Sequence, residues 1–189
     1  TRRSSDLGGY HMASRSARSR CVSGKSVVYL WAGESLGQTS EQGETMSKTV
    51  ASWFADKAAN QELANGNIDF RRFDKYRIKL EAFLEEKLNR LQEGKLTPGS
   101  EVIEVKHASS RVIFELRWHF EAAAQHKGKT QIRHYEAEPV EVRNSVFGLV
   151  MHVKDITGTD TEITEKQNRQ IEIAEILYDE CSKNDWRLS

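Results

Sequence analysis

The sequence predicts an α+β domain: N-terminal helices packed on a small antiparallel sheet of about four strands, followed by a C-terminal helix. Three observations carry that prediction. Between residues 69 and 93 apolar side chains recur at helical spacing. From residue 101 the period drops to two and holds, between turns, to about 154. Beyond 160 the helical period returns. Helices, then a run of strands, then a helix is the segregated order of the α+β class.

Taken in order, residues 1–45 scatter Arg2, Arg3, Arg15, Arg18 and Arg20 among Ser and Gly, and 33–45 are again Ser, Gly, Gln and Glu. This composition reads as a disordered or weakly structured extension, with 27–31 able to add an edge strand. Residues 21–26 end like a phosphate-binding loop, but Ser19 stands where the first glycine belongs. Residues 46–68 supply an additional helix, with Trp53, Phe54, Ala58 and Leu63 on one side and Gly66 as its C-cap. The stronger helix at 69–93 carries the stripe Phe73, Tyr76, Leu80, Phe83, Leu84, Leu88 and Leu91, stopped by Gly94 and Pro98. Strands follow at 101–106, 111–120, 130–136 and 145–154, with a polar loop at 121–129 and a bend at Pro139. Phe147, Leu149, Met151 and Val153 are expected on the helix side of the last strand. Thr159 and Glu162 have capping-box spacing into the last helix, which turns Ile163, Ile171, Ala174 and Leu177 inward.

Composition narrows the function classes. The chain has 189 residues, 28 basic and 28 acidic, so its formal net charge is zero. A general nucleic-acid coating protein is therefore not expected; any such site is a local cationic patch. No run approaches the ~20 apolar residues of a membrane span. The two cysteines, Cys21 and Cys181, read as reduced thiols of a cytoplasmic protein. The six histidines show neither HExxH nor paired Cys/His spacing, so no metal site and no cofactor is expected.

The chemistry concentrates on strand 111–120. Val112, Phe114, Leu116 and Trp118 alternate with Arg111, Ile113, Glu115, Arg117 and His119, which puts the first set on the core and most of the second on the opposite surface. In the next strand Ile132 points inward, so Arg133 and Tyr135 share the side of Arg117, while His134 packs beneath the sheet. In the last strand His152 and Lys154 take the charged side. Neighbouring strands lie ~4.8 Å apart, so these groups can converge.

The string Ile113-Phe114-Glu115-Leu116-Arg117-Trp118 resembles the "LWELR" strand of the HigB-like, phage Gp49-like toxins of the RelE/ParE superfamily. Gln131-Ile132-Arg133-His134-Tyr135 is similar to that family's next strand, 146–154 to its hydrophobic strand ending in lysine, and 161–178 to its closing helix. The resemblance covers about 69–181 and implies a toxin domain over 69–189. It further implies the toxin of a type II toxin–antitoxin pair: an mRNA interferase that cuts mRNA in the ribosomal A site, held inactive by a helix-turn-helix, HigA-like antitoxin. Arg117, Arg133 and Lys154 are the cations it implies as functional. A metal-independent endoribonuclease needs a base for the 2′-hydroxyl, an acid for the leaving oxygen and cations around the phosphate. His119 is the candidate acid or base and Tyr135 a stacking or proton-transfer partner; Arg111, His152, Lys127 and Lys129 are candidate RNA contacts. Two other readings stand beside it: a toxin of this fold that inhibits DNA gyrase or another target without cutting RNA, and a non-enzymatic interaction module. Exposed cations are replaceable within ~0.5 kcal/mol, so Arg117→Ala and Arg133→Ala are expected to be silent in stability. The nuclease reading requires residues 117, 133 and 154 to gather on one solvent-facing patch. Scattering them, or burying them in ion pairs with carboxylates, would end it.

Overall fold

The computed structural model describes residues 18–36, 46–106, 111–121 and 130–188. The helix pair comprises α1 (Met46–Ala64) and α2 (Phe73–Gln92). In α1 the buried stripe is mostly small, with Ala51, Ala55, Ala58 and Ala59 around Phe54, so the helix packs closely against α2 and the sheet. Leu80, Leu84, Leu88 and Leu91 of α2 are fully buried, as their spacing predicts. Gly66 ends α1 and Gly94 follows α2, both at positive φ.

Among the described residues the sheet has five strands in the order β1-β5-β4-β3-β2: β1 (Val28–Trp31), β2 (Val102–Glu104), β3 (Ile113–Phe120), β4 (Thr130–Ala137) and β5 (Ser145–Val153). It is mixed, because β1 runs parallel to β5 while the other pairings are antiparallel. The predicted four-stranded antiparallel sheet thus gains a parallel edge from the segment read as an extension. Residues 18–31 are no loose arm. Cys21, Tyr29 and Trp31 are core residues, and Arg20 donates to the carbonyls of Val142, Ser145 and Pro139 at 2.7, 2.6 and 2.6 Å. A guanidinium with several carbonyl acceptors fixes this segment to the β4–β5 connection. Of the predicted extension, 1–17 and 37–45 lie outside the described residues.

Alternation on β3 and β4 is as read: Phe114, Leu116, Trp118 and Ile132 join the core beneath α1 and α2. Strand β5 departs from it. A bulge opposite Tyr135 and Glu136 inserts one residue, so Leu149 and Val150 turn the same way. Met151 and Val153 remain on the side of the helix pair, whereas Phe147 and Leu149 cross to the other side.

That other side is covered. The last helix, α3 (Asp160–Lys183), starts from the predicted capping box at Thr159 and Glu162. It lies over β4 and β5 through Ala174, Ile171, Leu177 and Tyr178. Beyond it Asp185 and Trp186 adopt positive φ, and the Trp186 ring returns to Phe147 and Tyr178 at 4.8 and 4.9 Å. Among the described residues no helix is long and apolar enough to cross a membrane.

Candidate functional site

Register brings the charged residues together. Arg117 pairs with Arg133, and Arg133 with His152, so two guanidiniums and an imidazole stand in one row across β3, β4 and β5. The next row is His119, Gln131 and Lys154: His119 pairs with Gln131, and the Lys154 amide donates to the Gln131 carbonyl at 2.7 Å. The row on the other side is Glu115 and Tyr135. Side chains two apart share a face, so all three rows project towards the α3 side.

Convergence comes with neutralisation. Glu115, named only as one member of the outward set, is the centre of the patch. Its carboxylate accepts from Arg117 Nη2 at 2.7 Å and from Gln167 Nε2 of α3 at 3.2 Å. It also lies 2.9 Å from Arg133 Nε, as an ion pair and not an aligned hydrogen bond. Arg133 and Glu115 are only 6% and 5% exposed, against 34% for Arg117. The face expected to be open is therefore roofed at Arg133 and Tyr135, because α3 crosses it. Parity could have flagged Glu115, which sits two positions before Arg117 on the same strand.

The patch retains unmet hydrogen-bonding capacity. Arg117 Nε, the Tyr135 hydroxyl and His152 Nε2 are buried without an aligned partner. The Tyr135 and His152 rings stack at 5.9 Å and 17°. Burial lowers the His152 pKa, which keeps the imidazole neutral, and burial with Glu115 nearby raises that of Tyr135. Burial also lowers the Arg133 pKa, against the pull of Glu115. Unpaired buried polar atoms cost stability, and their concentration in one place is characteristic of a ligand-binding surface.

Beside the patch a groove of 370 Å³ runs between the end of β5, α1 and α3, lined by Lys57, His152, Lys154, Lys166 and Gln167 among others. Lys57 is paired with Glu34 and Lys166 with Asp155. The Lys166 ammonium, with Thr157, holds the Asp155 carboxyl well below the usual carboxylate range. His119 is exposed at the sheet end. Arg111 belongs elsewhere: it pairs with Asp179 at 2.7 Å and Glu175 at 3.8 Å and ties α3 to the start of β3. Its expected RNA contact is thus replaced by a tether. Lys127 and Lys129 lie outside the described residues. His134 is beneath the sheet as read, among Tyr29, Trp31 and Trp118, and burial pushes its pKa down to about 3.

One row therefore offers two guanidiniums and an imidazole around a single carboxylate, and the next offers a lysine at the mouth of a groove. Chemically this can hold a phosphate against Arg117, His152 and Lys154. Comparison with family models, curated proteins and solved structures finds no match for this chain.

Proposed function

We infer that this chain is a RelE/ParE-type toxin that grips an anionic target without cutting it, the target being the phosphate backbone of single-stranded RNA. Arg117, His119, His152 and Lys154 make the contact, and Arg133 with Glu115 forms the braced floor beneath them. The observation that carries the reading is the register of Arg117, Arg133 and His152 across three neighbouring strands, with unpartnered nitrogens at Arg117 and His152. Cleavage is not the first reading, because it needs Arg133 in the open, and Glu115 holds that guanidinium beneath α3. The cognate partner is a helix-turn-helix, HigA-like antitoxin, and the working target is mRNA in the ribosomal A site.

The interferase built on an open Arg133 ends with that burial; a second reading is an mRNA interferase that does without it and centres on Glu115 itself. A carboxylate between two guanidiniums and near an imidazole supplies the base, the acid and the charge that 2′-hydroxyl attack on a phosphate requires. Induced expression with mapping of RNA 5′ ends separates the two. Growth arrest with intact transcripts is the expected result. New 5′ ends that vanish in Glu115→Gln would install the nuclease instead. Arrest with accumulated DNA breaks would move the target to gyrase, and harmless overexpression would leave an interaction module.

A further inference from the structure

On the opposite side of β4, away from the charged patch, the geometry points to a transition-metal site formed by Cys21, Glu136 and Glu138, suited to Zn²⁺. One ligand atom from each residue lies within 4.8 Å of the other two, and the residues are 0, 0 and 4% exposed. The Cys21 sulfur is already 3.3 Å from Glu136 Oε1. That matches the ~3.5 Å edge of a tetrahedron drawn at zinc bond lengths of ~2.0–2.3 Å.

A second observation points to a ligand. Glu136 Oε2 is fully buried without an aligned hydrogen-bond partner. Glu138 is differently placed: it accepts from the Ser19 hydroxyl at 2.6 Å and from the Arg20 amide at 2.7 Å, and lies 3.8 Å from Arg20 Nε. These contacts orient it as an outer shell orients a metal ligand. Charge also balances: a thiolate and two carboxylates carry three negative charges, and a dication with the Arg20 guanidinium returns three positive ones. Thiolate with carboxylate selects zinc or cobalt over magnesium, and three protein ligands leave a fourth position open. No sequence spacing announces the site, since 115 residues separate Cys21 from Glu136. The expectation of no metal site came from spacing alone.

The test uses the full chain, stripped by a chelator and titrated with CoCl₂, ZnCl₂ or MgCl₂. The expected result is one cobalt per chain with a near-ultraviolet thiolate-to-cobalt charge-transfer band, displaced by zinc and absent with magnesium. Zinc should also raise the thermal midpoint. Glu136→Gln replaces the carboxyl by an isosteric amide. It should lose more than the ~10–100-fold in cobalt affinity typical of losing an outer-shell partner, so that the band grows in only at correspondingly higher cobalt. Cys21→Ser should remove the band, and Cys181→Ser should not. A wild-type chain without the band, or a folded Glu136→Gln that binds cobalt as the wild type does, overturns the site.

Discussion

The two faces of one sheet are built from alternate residues of the same strands, yet they differ in kind. Towards α1 and α2 the strands present Phe114, Leu116, Trp118, Ile132 and Met151, and the polar His134 is enclosed by aromatic rings. Towards α3, β3 and β4 present Glu115, Arg117, Arg133 and Tyr135, and a long helix roofs them while burying only Ala174 and Cys181 of its own residues. The first face supplies cohesion. The second joins an apolar patch of Phe147, Leu149, Ala174 and Trp186 to a row of charge under a thin cover. The contrast teaches that burial alone does not mark a core: Arg133 is as hidden as many core residues, but it is held by a carboxylate and not by packing.

The sharpest way to separate the faces is to cut one residue from each. Leu116→Ala on the dry face should cost ~2–5 kcal/mol in denaturant unfolding and leave RNA affinity per folded molecule unchanged. Arg133→Ala, on the other face, should cost ~1–3 kcal/mol, because it leaves the buried Glu115 carboxylate without one of its two ion-pair partners. An Arg133→Ala variant as stable as the wild type would return that residue to the solvent-facing role first assigned to it.

The pH dependence sharpens the comparison next. The folded pKa of His134, about 3, is below its ordinary 6.5, so between those values the unfolded chain binds the extra proton. Its contribution is therefore full above pH 6.5 and falls as pH drops towards 3. Glu136 acts with the opposite sign: its raised pKa favours the folded state as pH falls towards the ordinary 4.5. Urea unfolding across pH 4–7.5 should show a shallower acid decline in His134→Gln than in the wild type. An unchanged slope would mean that His134 titrates normally. The smallest effect belongs to the roof. Arg111→Ala releases Asp179 and should shift the thermal midpoint little, while amide exchange in the last turns of α3 accelerates. Unaltered exchange there would show that apolar packing alone holds the helix.

Much of this architecture was legible in the sequence, and the failures have physical causes. The stripe of α2, the capping box of α3 and the alternation of β3 are local patterns, and each fixed its element and the face it buries. The inward turn of His134 followed from its parity with Ile132. Local patterns carry no information about an inserted residue, so the bulge that sends Phe147 and Leu149 to the far face was invisible. The parallel pairing of β1 joins residues more than a hundred positions apart, and its flanks have the composition of a loose segment. The site was legible as a set of side chains and not as an environment. Arg117, Arg133 and His152 align as parity allowed, but the roof over them depends on where α3 lies. The same gap hid Glu115, whose outward position was read correctly and whose role as their shared counter-ion was not.

The account rests on the Arg117–His152–Lys154 edge being an anion-binding surface, and salt-dependent binding of a short single-stranded RNA tests it directly. The wild type should bind with an affinity that falls linearly in log salt at ~0.7 per phosphate neutralised. Arg117→Ala and Lys154→Ala should each lower the affinity and remove about one contact from that slope while staying folded. Equal affinities and equal slopes in the wild type and both variants would contradict the account.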